Sequence, residues 1–319
     1  MLYIRQMRVF NLSLSSPVDL PLDARNAVIA VGNFDALHRG HHALLEIARK
    51  RALDQGRPFG VLTFEPHPRR LFRPDDAPFR VTPLAVKLQR LETAKVDCVY
   101  VLDFNWDIAH LSAEDFIQKI LRDQLGTSNL VIGADFHFGA NRSGSIETLK
   151  EAGFHCTIID QIKDAQNAIY SATRIRGLIQ SGHIDEANRL LGWNWEIQGM
   201  VSKGDQRGRE LGYPTANIPL GDTIHPAYGI YAAHIKLPGE TSWRMAAVNI
   251  GIRPMFEARI ALVEAHILDY SGDLYDQTLR LRPVAKIRDE AKFDSLDALK
   301  IQMAKDCDEC RKILMHKAD

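Results

Sequence analysis

The sequence predicts two domains of different architecture. An α/β doubly wound, Rossmann-like sheet with helices on both faces comes first, and a small antiparallel β-barrel with a C-terminal helix follows. Three observations predict this. Apolar runs alternate with helical patterns from Ala27 to about Ile162, as in a parallel sheet with crossover helices. A decapeptide rich in glycine and histidine, Gly32 to His41, joins the first of those runs to a helix. From about residue 186 the helical pattern gives way to short strands between glycine-rich turns, the pattern of a small barrel. The expected domains are 1–186 and 187–319.

Composition sets the outer bounds. A chain of 319 residues has room for two domains. A hydrophobic fraction of 45% and a charged fraction of 25% are those of a soluble globular protein. Forty basic residues balance forty acidic ones, so no net field draws the chain to nucleic acid or an anionic membrane. No apolar run approaches membrane-span length, and Met1 to Arg8 lack the apolar core of a signal peptide. Four cysteines do not make a disulfide framework, so the expected compartment is the cytoplasm. The expected partners are small molecules, with no nucleic acid, no membrane and at most weak self-association.

In order along the chain, Ala27–Val31 is short, β-branched and free of charge, which predicts a buried parallel strand. His42 to Ala52 then places Leu44, Ile47, Ala48 and Ala52 on one helical side. Phe59–Phe64, Cys98–Leu102, Leu130–Gly133 and Thr157–Ile159 are the further strands. Leu84, Leu88 and Leu91 mark one intervening helix; Ser112 opens another, with Phe116, Ile120 and Leu121 on its buried side. In the second half, strands are expected at Trp195–Val201, Gly229–Lys236, Trp243–Ile250, Ala261–Tyr270 and Thr278–Pro283.

The loop Gly32-Asn33-Phe34-Asp35-Ala36-Leu37-His38-Arg39-Gly40-His41 sits at the carboxyl end of a strand, where open α/β sheets bind ligands. Gly32 and Gly40 let backbone approach a ligand closely. His38 and His41 flank a helix start, whose free N–H groups favour phosphate, and two imidazoles add donors for charge developing on phosphorus. Gly133 to Gly139 follows another strand; its Phe136, His137 and Phe138 are candidates for the wall of a flat pocket or for simple core packing. Ser171 and Thr173 open a helix as caps or phosphate contacts, and Arg174 and Arg176 are candidates to fork onto phosphate oxygens.

The barrel half carries a turn, Lys203 to Arg209, in which Gly204, Gly208 and Arg209 are candidates to bring N–H groups and cations to phosphates. Thr215 and Asn217, two apart on an extended chain, point the same way and offer hard oxygens suited to Mg²⁺ held jointly with nucleotide phosphates. Strand alternation puts Glu264 on the face of Leu262, His266 and Leu268, a costly place for a carboxylate that is neither partnered nor used. Cys307 and Cys310 fall on one stripe with Leu296, Leu299, Met303 and Leu314, so core packing is expected rather than zinc or redox chemistry.

These motifs resemble a known family. His38-Arg39-Gly40-His41 is similar to the H-x-G-H signature of nucleotidyltransferases, and Gly-Asn-Phe-Asp before it narrows the match to bacterial bifunctional riboflavin kinase/FAD synthetases. Gly208-Arg209-Glu210-Leu211-Gly212-Tyr213-Pro214-Thr215-Ala216-Asn217 resembles the riboflavin kinase half, and the likeness runs from about Arg8 to Asp306. The resemblance implies phosphorylation of riboflavin by ATP to give FMN, then adenylyl transfer from a second ATP to give FAD and pyrophosphate. It implies Glu264 as the base on the riboflavin 5′-hydroxyl, Thr215 and Asn217 for nucleotide and magnesium, and the Gly133 to Gly139 loop for flavin. Mg²⁺ is implied in both sites. Ala36, His137, Ala172 and Ile252 stand where the family usually has Gly, Arg, Ser and Thr. Two alternatives stay open on the sequence: a riboflavin kinase with weakened or lost adenylyl transfer, and a non-catalytic flavin-binding regulator.

Overall fold

The structure, a computed structural model, describes residues 6–203, 212–255 and 258–316. By chain packing it divides into two compact units, Met1–Asp76 with Lys87–Ser171, and Ala77–Val86 with Ala172–Asp319.

The first unit is a parallel sheet of β1 (Arg8–Leu12), β2 (Val28–Val31), β3 (Phe59–Glu65), β4 (Cys98–Asp103), β5 (Asn129–Gly133) and β6 (His155–Ile159), in the order β1-β4-β3-β2-β5-β6. All four residues of β2 are buried, as an apolar strand covered on both faces requires. The sequence pattern missed β1, because Arg8 and Asn11 interrupt its apolar residues. It is an edge strand paired only with β4, so one side needs no continuous apolar run. The strand order reverses at β2, with β3 on one side and β5 on the other. The carboxyl ends of β2 and β5 are therefore the topological switch point, the place where doubly wound sheets take ligands.

Helix α1 (Arg39–Asp54) packs across β2, β3 and β5. Its buried residues are Leu44, Leu45, Ala48 and Ala52; Ile47, expected on that face, is 36% exposed. The stripe centres on the line through His41, Leu45, Ala48 and Ala52, which turns Ile47 to the flank and His41 inward. After the Ser112 cap, whose hydroxyl accepts from the Asp115 N–H, the chain winds as a π-helix over Phe116–Gln124. Phe116, Ile120 and Leu121 are buried there as the pattern predicts. Helix α2 (Leu84–Thr93) buries Val86, Lys87 and Leu91 rather than Leu84 and Leu88.

The second unit is an antiparallel barrel of β7 (Ile197–Met200), β8 (Ala216–Pro219), β9 (Gly229–Lys236), β10 (Arg244–Met255), β11 (Ala258–Ile267) and β12 (Thr278–Arg288), in the order β7-β12-β9-β10-β11-β8. A single bridge from Ser202, just beyond β7, to Asn217 on β8 nearly closes it; the Ser202 N–H donates to the Asn217 carbonyl at 2.8 Å. Tyr231, Val248 and Ala265 lie in register on the inner face, all buried.

Helices α3 (Ala172–Gln180) and α4 (Ile184–Leu191) group with this unit, so the expected boundary near residue 186 falls inside α4. Segment 77–86 groups with it too. The Val81 carbonyl accepts from the Trp195 indole at 3.0 Å, and the Arg80 carbonyl from the Ile224 N–H at 2.8 Å. Helix α5 (Leu296–His316) lies on the outer face, with Cys310 and Leu314 buried against Ala232 and Leu268. Desolvation pushes the Cys307 thiol up to about 11 and the Cys310 thiol up to about 12, so both stay protonated at neutral pH.

Candidate active sites

The loop after β2 is buried and conformationally tight. Phe34, Asp35, Ala36 and Leu37 are nearly inaccessible, and Phe34, Ala36 and Leu37 hold φ of 47, 69 and 40° without being glycine. Such positions cost free energy and persist only where the surroundings over-determine them. The loop delivers His38 to the cap of α1, where its Nδ1 accepts the His41 N–H at 3.3 Å. That bond puts the ring proton of neutral His38 on Nε2, leaving a donor for a ligand. The His38 and His41 rings stack at 3.8 Å and 13°, and Phe34 meets His41 edge-on at 5.3 Å.

Burial first, then neighbouring His42, pulls His38 down to about 4. Burial, then His38, His42 and Lys87, holds His41 well below the ordinary histidine range. Both rings are therefore neutral before a ligand arrives. The His41 Nδ1 is buried with no hydrogen-bond partner among the described residues. Gly40 fits tightly beside them: a Cβ there would stand 3.1 Å from the His38 ring and 3.3 Å from Cβ of Tyr170 and would press on both. Two neutral N–H donors at a helix start suit a polyphosphate that brings its own charge.

In the barrel, register places Asn217 (β8), Glu264 (β11) and Asn249 (β10) in one row across three adjacent strands. The Asn249 amide donates to Glu264 Oε2 at 3.0 Å, while its own Oδ1 is buried without a partner among the described residues. His266, two residues along, accepts an edge contact from Tyr213 at 5.2 Å and bonds the Pro214 carbonyl at 3.0 Å, which fixes the chain entering Thr215. Beside the row lies a cleft of about 490 Å³ bordered by Thr215, Asn217, Ile267, Tyr270, Leu274 and Tyr275. Glu264 is not on its wall; Asn217 belongs to both. The arrangement sets the Glu264 carboxylate, the Thr215 hydroxyl and the Asn217 and Asn249 amides next to an open cleft that Asp273 also borders.

Comparison with known proteins bears on both sites. The FAD synthetase family matches residues 20–173 and the riboflavin kinase family residues 191–314. The bifunctional riboflavin kinase/FMN adenylyltransferase of Pseudomonas fluorescens is 40% identical over 280 residues, covering 86% of this chain and 89% of that one. The Escherichia coli K12 protein of the same description is 38% identical over 283 residues, covering 88% and 90%. This chain belongs to the bifunctional riboflavin kinase/FMN adenylyltransferase family. A solved structure described as a macrolide-efflux protein from Streptococcus pneumoniae superposes with a TM-score of 0.82 at 30% identity, covering 96% of this chain and 99% of that one. Among the described residues no helix is long and apolar enough to cross a membrane.

The remaining candidate residues of this family member are placed unevenly. Phe138 is a core residue, 7% exposed, stacked on Phe136 at 5.7 Å and against Phe116 at 5.4 Å. Phe136 is half-buried, and exposed His137 bonds the Asp135 carbonyl at 2.9 Å. Thus Phe136, rather than Phe138, has a face to offer. Ser171 follows Tyr170, whose side chain lies against Gly40, and Thr173 is exposed. Arg176 donates to the Phe79 carbonyl at 2.9 Å and lies 5.4 Å over its ring, so its guanidinium is occupied within the second unit. Gly204, Gly208 and Arg209 lie outside the described residues.

Two features escaped the sequence reading. Phe72 and Trp106, each more than half exposed, meet at 5.7 Å beyond the ends of β3 and β4. Their separation of over thirty positions hides the pairing, although a large exposed aromatic pair is itself a ligand signal. Lys87 is the second, and is 1% exposed.

Proposed function

We propose that this chain makes FAD from riboflavin in two steps, one in each unit, and works in the cytoplasm. In the barrel, the γ-phosphoryl of ATP passes to the riboflavin 5′-hydroxyl, giving FMN and ADP. In the sheet unit, an FMN phosphate oxygen attacks the α-phosphorus of a second ATP, and the bond to pyrophosphate breaks to give FAD. Both are in-line displacements, in which positioning and charge neutralisation supply most of the acceleration.

Glu264 accepts the hydroxyl proton, and Asn249 holds its carboxylate. The cleft bordered by Thr215 and Asn217 takes the nucleotide. A resident Mg²⁺ fits the donors here: Thr215, Asn217 and Glu264 present hard oxygens, and with one carboxylate among them the ion must be shared with phosphates. It supplies charge neutralisation on the transferring group. Thr215 and Asn217 would hold it. In the sheet unit His38 and His41 donate to the polyphosphate, with Gly32, Asn33, Phe34, Asp35 and Gly40 shaping the cradle. Ser171, the last residue of that unit, extends it, and Gly204, Gly208 and Arg209 are the matching phosphate contacts of the barrel. The isoalloxazine of FMN finds flat apolar faces on Phe136 and on the exposed pair Phe72 and Trp106. We place the functional boundary between residues 173 and 191, which the two family matches leave free and which includes residue 186.

The observation that carries this reading is that each unit holds its own phosphorus-transfer constellation: the stacked His38–His41 pair in one, the Asn217–Glu264–Asn249 row in the other. The test is a double dissociation on the full chain. His41→Ala lowers FAD formation from supplied FMN by roughly 10²–10³-fold, the effect of losing one donor to developing charge, and leaves riboflavin phosphorylation unchanged. Glu264→Gln keeps a hydrogen bond but accepts no proton, so riboflavin phosphorylation falls by about 10²–10⁴-fold while FMN adenylylation persists. Equal loss of both activities in either variant defeats the two-site reading.

A further inference from the structure

Lys87 carries an ammonium into the interior of the sheet unit, at 1% exposure. Lysine is rarely found so deep, because burying its charge costs several kcal/mol after relaxation. A leucine or methionine of similar length would fill the space without that cost. The ammonium Nζ donates to the Asn33 carbonyl at 2.8 Å and to the Thr63 hydroxyl at 3.1 Å, and that hydroxyl in turn donates to the same carbonyl at 3.1 Å. Helix α2, strand β3 and the loop after β2 are thereby tied at one point, one residue before the loop enters its three left-handed, non-glycine positions. The next turn of the chain is the His38–His41 stack.

We propose that Lys87 is a positioning residue for adenylyl transfer: it pins the Asn33 carbonyl so that the strained loop presents its histidines, and it sets a fixed positive charge behind the phosphate cradle. The proposal rests on the sheet unit being the adenylyl-transfer site. Nothing in the donor geometry puts the ammonium against substrate; its effect runs through the loop and through the field. That field is already visible in His41, where Lys87 joins His38 and His42 in disfavouring the imidazolium. The other charges around the cluster act on its neighbours: Asp35 on His38, and Arg90 and Arg39 on His42.

The experiment compares Lys87→Met, Lys87→Gln and Lys87→Arg in the full chain, with both activities and the thermal midpoint measured on each preparation. Lys87→Met is expected to lower kcat for FMN adenylylation by roughly 10–10²-fold, the scale on which a small displacement of reacting groups is felt. Riboflavin phosphorylation should be unchanged. Lys87→Arg should recover more of the rate than Lys87→Gln, because it restores charge as well as a donor. In Lys87→Gln the His41-governed limb of the pH–rate profile should move to higher pH, since removing a neighbouring cation lets that ring protonate more easily. A merely structural role does not move that limb.

Adenylyl transfer in folded Lys87→Met within about three-fold of the parent overturns the proposal, as does an unshifted pH limb in Lys87→Gln. Failure of all three variants to fold also overturns it, because it makes Lys87 a packing residue. His41→Ala run alongside separates the two layers of the reading. If that variant also retains full adenylyl transfer, the site assignment itself has failed, and not the role of Lys87.

Discussion

His38 is at once a cap, a stacked ring and a proposed phosphate donor, and the three roles share one protonation state. With Nδ1 accepting from the His41 N–H, a second proton on the ring breaks the cap as well as charging a buried group. Its folded-state affinity for protons is pulled from 6.5 to about 4. The unfolded chain therefore takes up a proton first as the pH falls, and the native state loses stability between about pH 6.5 and pH 4. The full loss amounts to about 3 kcal/mol for this residue. His41 and His42, both lowered mainly by burial, act in the same direction. Urea titrations at pH 7 and pH 5 should show this drop. In His38→Asn, which keeps a capping acceptor but does not titrate, the drop should shrink while stability at pH 7 is nearly retained. An identical pH slope in the two proteins would remove His38 from the account. His38 and His41 could be singled out in the sequence because they share a short motif, and Glu264 because strand alternation set a carboxylate among leucines. Asn249 and Lys87 were not assigned roles, since their partners lie on other strands and helices, and a lysine in sequence reads as solvated.

At the scale of elements, strand runs were read well where burial on both faces forces an unbroken apolar sequence, as in β2, and poorly at the edge, as in β1. The buried faces of α1 and α2 differ from the expected ones: Leu45 replaces Ile47 in α1, and in α2 Val86 and the polar Lys87 replace Leu84 and Leu88, against the rule that apolar residues mark the buried side. The loop after β2 shows what the departure at Ala36 entails. Its φ of 69° is a glycine conformation, and the residue is fully buried. Relief of left-handed strain by glycine is worth about 1–2 kcal/mol. Glycine entropy takes back about 0.5–1 kcal/mol, and loss of a buried methyl about 0.8 kcal/mol. These nearly cancel, so Ala36→Gly should leave stability within about 1 kcal/mol and adenylyl transfer within about five-fold, the rate equivalent of that energy. Ala36→Val differs, because a β-branched side chain at positive φ is a steric outlier. It should destabilise the sheet unit and abolish most FAD formation, with riboflavin phosphorylation intact. A large gain of adenylyl transfer in Ala36→Gly would instead mean that Ala36 has weakened this site.

At the scale of the molecule, the sequence separated sheet from barrel by their patterns but could not show which linking pieces pack with which. Composition carries no trace of it: segment 77–86 follows β3 and runs into the first turn of α2, yet it packs with the barrel unit. Trp195 is fully buried, and its indole N–H depends on the Val81 carbonyl. Ile175 and Ile179 of α3 are likewise fully buried in that unit. A fragment of residues 187–319 loses all three supports. Each fully buried isoleucine is worth roughly 1.5–3 kcal/mol and an orphaned buried N–H costs about 1–3 kcal/mol. We therefore expect 187–319 to be less stable than 172–319 by several kcal/mol in urea, and 172–319 to remain short of the intact chain because Trp195 still lacks its acceptor. Adding a synthetic peptide of residues 77–86 to the 172–319 fragment should raise its thermal midpoint in a saturable way. At one hundred times the dissociation constant the gain is about 2.7 kcal/mol. Riboflavin phosphorylation by that fragment should rise only as far as the folded fraction does, because the segment's carbonyls bond Trp195, Ile224 and Arg176, which lie outside the Asn217–Glu264–Asn249 row. Equal stability of the two fragments, or no response to the peptide, would mean that the barrel holds itself together from residue 187 onward and that segment 77–86 merely rests on it.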